Sequence, residues 1–273
     1  NGQILASTSM PEFDPDDIAA SIRADDTSLI NRSLSAFSAG SVFKVVLAAA
    51  AYAQGLDWFT YDCTGSIQTA GETFRCALGR AHGTVNLRGA LEQSCNCYFI
   101  ALGQLLGGQA ILNAAQSFGL GTPALLAPGL KSAAGELPSA ADLQNAGSLA
   151  SLSFGQGGLT VTPLQVTAMF NAIASGGVYH SPCIVSSITA QRPAARRLHG
   201  CCKVCWQPLS AAALAAMPSP IPVPPPVKPA RLRPASLMQT AGSCCITGLP
   251  VFTRRMLRAI PSPFCRIPSK SPK

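Results

Sequence analysis

The pattern of apolar and polar positions predicts a succession of short elements. Residues 2–9 read as a short strand, closed into a turn by Pro11, Asp14 and Pro15. A polar segment with Arg23, Asp25 and Asp26 comes next, and 31–40 is small and polar. Ser41 then opens a strongly apolar stretch, 45–53, which Gln54-Gly55 ends. Those start and stop signals predict a helix over 41–55, and its all-round apolarity places it in the core. Residues 57–86 show no helical period and read as loop with short strands. Leu87, Leu91, Phe99, Leu102 and Leu106 predict one helix over 85–106, broken by Gly107-Gly108. A further helix is predicted over 110–118, loop over 121–150, and a turn at 155–158. Thr162-Pro163 starts a helix running to about Ala174, and 183–188 reads as a strand. No internal repeat is present.

At 273 residues the chain fits one large domain or two small ones. With 48% hydrophobic and 12% charged residues it is no generic disordered chain. No apolar run approaches the ~18 residues of a membrane span. The chain begins at Asn1 without an initiator Met or a charged-then-apolar leader, which fits a fragment whose upstream anchor is not included. The net charge of +8 is unevenly spread. Residues 1–190 carry 7 basic and 12 acidic side chains, whereas 191–273 carry 13 basic and none acidic. The second segment also holds 15 of the 22 prolines and six of the 11 cysteines. This break predicts a folded unit over 1–190 and a separate tail over 191–273. Within the tail no amphipathic period survives, and 218–226 fits a polyproline II linker.

Two motifs carry chemistry. Ser41-Val-Phe-Lys44 sets a hydroxyl and an amine three residues apart at a helix start, on one face. A serine needs a base to become a nucleophile. A lysine supplies one if burial and the positive helix end lower its pKa. The same helix start offers backbone N–H groups for an oxyanion. Alone, S-x-x-K also fits a helix cap beside a surface lysine; Gly40 before it and the apolar helix after it place this pair at the core. Ser94-Cys-Asn96 adds a hydroxyl able to relay a proton and an amide able to hold a substrate backbone, though three such residues also fit an ordinary turn or cap.

Together these motifs resemble the penicillin-binding transpeptidases of the serine D,D-peptidase and β-lactamase superfamily. Gly2-Gln-Ile-Leu-Ala with Phe13-Asp14-Pro15 is similar to that family's opening strand. Asn31-Arg32 ahead of Gly40-Ser41 is similar to its nucleophile segment. Phe154-Gly-Gln-Gly157, Val161-Thr-Pro-Leu-Gln165 and Gly176-Gly177-Val-Tyr are similar to the segment before its third motif. The pattern is nearest to the class B proteins of elongation, division and sporulation. The resemblance covers 1 to about 190. It implies an α+β fold with a β-lactamase/transpeptidase-like sheet and a helical subdomain, incomplete at the C-terminal end. It implies Ser41 as the acylated nucleophile, Lys44 as its base, Ser94 as proton shuttle and Asn96 as the residue that holds the stem peptide or β-lactam side chain. The implied reaction is acyl transfer from D-Ala-D-Ala in cell wall synthesis, with β-lactams as covalent inhibitors. No zinc or other cofactor and no nucleic acid is implied. The intact protein is expected on the outer face of the cytoplasmic membrane, held there by an anchor.

The family's third motif, Lys-Thr/Ser-Gly, is absent from the sequence; the one Thr-Gly after residue 190 is Thr247-Gly248, preceded by Ile246. The tail reads as translation in a shifted frame. The codons for 227–235, with each third base regrouped with the next two, can encode Lys-Thr-Gly-Thr-Ala-Gln-Thr-Gly. Residues 250–256 treated alike can encode Gly-Phe-Tyr-Pro-Glu-Asp. Both resemble the family's next segments in the right order. A chain damaged in this way, by a frame change between about Thr189 and Trp206, is expected to be inactive or nearly so. The alternatives are a non-catalytic basic protein that binds an anionic surface through 191–273, and a β-lactamase-like hydrolase. The second is disfavoured because no deacylating Glu motif is present, Glu136 being the last Glu. Cys202-Lys-Val-Cys205 lacks a second pair at zinc-site spacing. Cys63 and Cys76 fit a disulfide in an exported protein, but the odd cysteine total fixes no pairing. His82, His180 and His199 share no motif and read as structural or surface residues.

Overall fold

A computed structural model describes residues 1–24, 27–184 and the strand Arg196–Arg197. In chain order the elements are α1 (Ile18–Ala24), β1 (Phe37–Ser38), α2 (Lys44–Ala53), β2 (Thr60–Cys63), β3 (Ser66–Thr69), β4 (Glu72–Arg75) and β5 (Gly83–Asn86). They continue with α3 (Leu87–Glu92), α4 (Asn96–Leu106), α5 (Gly108–Ser117), β6 (Leu125–Ala127), β7 (Leu130–Lys131), α6 (Ala146–Ser153), β8 (Thr160–Val161), α7 (Pro163–Ala174), β9 (Val178–Tyr179) and β10 (Arg196–Arg197). The fold is mixed α+β.

The core is helical. Every residue from Val45 to Ala51 is buried, so α2 is surrounded on all sides, as its apolarity predicted. It packs against α4 and α5, and α4 in turn packs against α6. Leu47, Phe99 and Leu102 are fully buried there, each contributing about 1.5–3 kcal/mol relative to exposure. Helices α4 and α6 approach closely because Gly103 faces Ser153: a Cβ at Gly103 would lie 2.0 Å from the Ser153 Oγ. At the start of α7, Thr162 Oγ1 accepts from the Gln165 N–H while Gln165 Oε1 accepts from the Thr162 N–H. This is a closed capping box ahead of Pro163, and it matches the predicted helix start.

The strands form two-stranded antiparallel pairs among the described residues: β1 with β8, β2 with β5, β3 with β4, β6 with β7 and β9 with β10. The β3–β4 hairpin turns on Ala70 and Gly71, both at positive φ (54° and 78°).

The structure corrects several expectations. Residues 2–9 make no strand; Gln3 forms a single bridge to Cys183. The helix expected over 41–55 opens as a 3-10 turn, Gly40–Phe43, before α2. The helix expected over 85–106 is three elements, the end of β5, α3 and α4, because Ser94 adopts φ 51° and stops the first helix. Residues 121–150, expected as loop, contain the β6–β7 hairpin and the start of α6, which Asn145 caps by accepting from Gly147 and Ser148. Only Cys183 and Ile184 of the strand expected over 183–188 are described, and the rest lies outside the described residues. The expected tail does too, apart from β10, which pairs Arg197 with Val178. No single helix among the described residues is long and apolar enough to cross a membrane.

Candidate active site

The turn that carries Ser41 is built by backbone approach. Gly40 has φ +57° and Gly155 φ +85°, conformations that L side chains rarely adopt. The Gly40 N–H donates to the Gly155 carbonyl at 3.0 Å. A Cβ at Gly155 would meet the Gly40 carbonyl oxygen at 1.8 Å, so glycine here lets the 155–157 turn press against the residue preceding Ser41. Lys44, one turn into the helical segment, is 1% exposed.

The second half comes from the break between α3 and α4. The Ser94 N–H donates to Leu91 and the Cys95 N–H to Ala90, which closes α3. Cys95 Sγ then accepts from the Tyr98 N–H and caps α4. The positive φ of Ser94 is the kind of local strain that persists where surrounding contacts hold it.

These pieces bring all four sequence-predicted residues together. Lys44 Nζ lies 3.2 Å from Ser41 Oγ, 2.9 Å from Ser94 Oγ, 2.8 Å from the Ser94 carbonyl and 2.6 Å from Asn96 Oδ1. Ser94 Oγ donates to Ser41 Oγ at 3.0 Å. Four acceptors surround an ammonium with three protons. Losing one proton leaves a lone pair that can accept from Ser41. Burial pushes the Lys44 pKa down to about 8, against the opposing pull of Cys95, Cys76 and Cys97. The Phe99 ring centroid, 5.9 Å from Nζ, adds a weak cation–π contact. Asn96 is held at both ends, because its Nδ2 donates to the Arg75 carbonyl at 2.9 Å.

Arg75 carries the site into a cluster that the sequence did not show. Cys76 Sγ lies 3.7 Å from Cys63 Sγ, 3.8 Å from Cys95 Sγ and 3.5 Å from Cys97 Sγ, and Cys63 Sγ is 3.5 Å from His82 Nδ1. All four cysteines are free thiols and buried, so the disulfide that Cys63 and Cys76 suggested is not formed. His82, expected as structural or surface, joins them. Burial pushes the Cys63 thiol up, but hydrogen bonds from the His82 ring, the Gly65 and His82 backbone and Cys95 outweigh it and bring its pKa to about 6. Burial drives Cys95 and Cys97 upward. The signal in the sequence is the run Cys63-x12-Cys76-x5-His82-x12-Cys95, whose members come together only because β2 pairs with β5 and β4 lies beside α4.

A separate cavity of about 1410 Å³ lies between the 119–125 and 135–158 segments. None of Ser41, Lys44, Ser94 and Asn96 lines it.

Residues 1–207 match the family described as penicillin binding protein transpeptidase domain. The chain is 32% identical to Stage V sporulation protein D of Bacillus subtilis over 67% of its own length and 28% of that protein. It is 32% identical to the peptidoglycan D,D-transpeptidase PbpA of Mycolicibacterium smegmatis over 68% of its own length and 41% of that protein. The chain thus spans less than half the length of these curated relatives. Among solved structures, the imipenem acyl-enzyme complex of penicillin-binding protein A from Mycobacterium tuberculosis superposes with a TM-score of 0.66 at 26% identity, over 79% of this chain and 55% of that one.

Proposed function

Because the chain belongs to the penicillin-binding protein transpeptidase family, we propose that its lineage is that of a peptidoglycan D,D-transpeptidase working through a Ser41 acyl-enzyme. The observation that carries this reading is the Ser41–Lys44–Ser94 hydrogen-bonded triangle, in which the Lys44 amine is buried and the two serine hydroxyls are exposed. Neutral Lys44 takes the Ser41 proton as Oγ attacks the carbonyl carbon of the penultimate D-Ala. The bond to the terminal D-Ala breaks, and Ser94 relays the proton from Lys44 to the departing amine. An amine on a second stem peptide then attacks the ester, closes the crosslink and returns the proton to Ser41 through the same pair. A β-lactam enters the same way, its ring-opened acyl group remaining on Ser41. Asn96, tied to Arg75 and Lys44, positions the base and faces the stem peptide.

The finer architecture belongs to the same reading. Residues 1–190 form the transpeptidase unit, whose β-lactamase-like central sheet is incomplete at the C-terminal end. Residues 191–273 are an out-of-frame tail. The family match ends at 207, beside the late end of the window assigned to the frame change, 189–206. The intact protein is membrane-anchored and works on the outer face of the cytoplasmic membrane, where stem peptides are.

Incubation with a fluorescent penicillin, with peptide mass mapping afterwards, tests this reading. The chain with the third motif restored is expected to carry an adduct on Ser41, and its Ser41→Ala variant none. Salt-sensitive binding to nucleic acid or anionic lipid with no adduct in the restored chain would overturn it in favour of the basic-protein reading. Rapid turnover of the adduct would overturn it in favour of a hydrolase.

A further inference from the structure

We propose that the cavity of about 1410 Å³ between the 119–125 and 135–158 segments takes the ammonium group of the donor stem peptide itself. The inference rests on the transpeptidase reading and adds a substrate contact to it. On that reading, an amine on a second stem attacks the Ser41 ester. A stem that serves as acceptor also serves as donor, so the stem held on Ser41 carries an amine of its own. That amine has to be kept from attacking its own ester. As an ammonium it has no lone pair and is harmless. A place for it has to be near Ser41, negative, and large enough for a peptide.

Two segments belong both to the cavity and to the surroundings of the hydrogen-bonded set. In the turn over 154–157, the Gly155 carbonyl accepts from the Gly40 N–H at 3.0 Å, while Gln156 and Gly157 line the cavity. In β4, the Arg75 carbonyl holds Asn96, while Glu72 lines the cavity. The Phe74 and Phe154 rings meet edge to face, centroids 6.0 Å apart, and join the two segments. A strand rises about 3.3 Å per residue, which sets Glu72 about 10 Å from Arg75. An amine at the end of an extended four-carbon side chain, on the residue before the penultimate D-Ala, lies about as far from that D-Ala. The cavity is thus at the distance where a donor bound at Ser41 would place its amine.

The lining selects the charge. Glu72, Glu136 and Asp142 line the cavity, and among the described residues no Lys, Arg or His does. Glu72 and Glu136 form no ion pair among the described residues, so their charge is not neutralised there. Asp142 accepts from the N–H and Oγ of Ser139, and these hydrogen bonds hold its carboxyl below the ordinary value and keep it ionised. Asn145, Ser148 and Ser151 add amide and hydroxyl groups able to meet a peptide backbone. The volume exceeds the roughly 300–1,000 Å³ of most small-ligand pockets, which suits a peptide segment.

The test uses the full chain and two peptides: Nα-acetyl-L-Lys-D-Ala-D-Ala with its side-chain amine free, and the same peptide with that amine acetylated. Binding is followed by NMR titration. The free amine is expected to bind about tenfold more tightly, the scale of a few exposed ion pairs, and the preference is expected to fade in about 1 M salt. The tail, with 13 basic and no acidic residues over 191–273, disfavours the free ammonium and so works against the expected order. Glu72→Gln combined with Glu136→Gln is expected to cut the preference to about threefold or less. Should that variant misfold, the unaltered chain decides: the free-amine peptide is expected to shift the amide resonances of Thr122, Glu136 and Gly157. Equal or absent binding of the two peptides, a preference unchanged in the double variant, or shifts confined to other residues would each overturn the proposal. Penicillin labelling of the chain with its third motif restored keeps the two readings apart. A Ser41 adduct beside equal peptide binding overturns the cavity assignment alone, whereas no adduct overturns the transpeptidase reading beneath it.

Discussion

The chemistry of Lys44 rests on how much its amine is shifted. Burial lowers its pKa from 10.5 to about 8, overriding the nearby thiols Cys95, Cys76 and Cys97. At pH 7 the neutral fraction of such an amine is about one tenth, roughly 300 times that of an unshifted lysine. On the proposed reading, in which Lys44 is the base, it must be neutral to accept the Ser41 proton and gains most of that competence from desolvation. In ¹⁵N-lysine NMR the Lys44 resonance is expected to titrate near pH 8. In an acylation-competent chain, acylation is expected to rise with pH and level off above that point. The linkage runs in the same direction. The folded pKa lies below the unfolded one, so the unfolded chain binds more protons between about 8 and 10.5, and stability rises with pH across that window. Below pH 8 the burial of the ammonium costs about 3 kcal/mol. Denaturant midpoints measured at pH 7 and pH 10 should therefore differ more for the unaltered chain than for Lys44→Met. Equal differences would show that Lys44 is not shifted.

Between α4 and α6 the spacing is set by one glycine. Alanine at Gly103 would place a Cβ 2.0 Å from the Ser153 Oγ and 2.9 Å from its Cβ. Alanine is the better helix former by about 1 kcal/mol, but the overlap in a closed core costs about 1–3 kcal/mol, and overlap wins here because the Ser153 Cβ is part of the obstacle. Gly103→Ala is expected to lower the thermal midpoint. Ser153→Gly on top of it should restore part of the loss, and strict additivity of the two changes would count against direct contact. The same close packing explains what the sequence hides. Helix α6 is made of Ala, Gly, Ser and Leu, with too few large apolar residues to mark a face, so its pattern reads as loop. The break at Ser94 is invisible to periodicity because Leu91 and Phe99 keep a helical spacing across it, while the left-handed Ser94 leaves no trace in hydropathy. Helices α2 and α7 are legible because their boundary residues state their limits: Gly55 after the apolar run, and Thr162-Pro163 with Gln165. The four site residues are legible as motifs of residue type and order. The thiol cluster is not, since its spacing becomes a cluster only through strand pairing.

For the molecule as a whole, the stretch beyond residue 190 is decisive. The Ser41–Lys44–Ser94–Asn96 hydrogen-bonded set lies within 41–96, yet the sequence carries no Lys-Thr/Ser-Gly, which the proposed reading needs for the opposite wall. On the frame-change proposal, that wall is a central strand lost to the shift. A proline-rich replacement cannot supply it, because each proline removes a ladder donor. The lost strand also takes the second oxyanion N–H with it, and one such donor is typically worth about 10²–10³ in rate. The present chain is therefore expected to be acylated by penicillin at least that much more slowly than a restored one. The coding DNA decides first. The bases under 227–235 should spell Lys-Thr-Gly-Thr-Ala-Gln-Thr-Gly in the neighbouring frame; if they do not, the tail needs a function of its own. Where they do, one compensating base insertion or deletion between the codons of Thr189 and Trp206 should recover acylation at Ser41. The Ser41→Ala form of the restored chain should stay inert, which separates site chemistry from adventitious labelling. Equal acylation rates before and after restoration would mean that Ser41, Lys44, Ser94 and Asn96 suffice without the third motif, and the oxyanion would then have to be held by the first-turn N–H groups of the nucleophile helix alone.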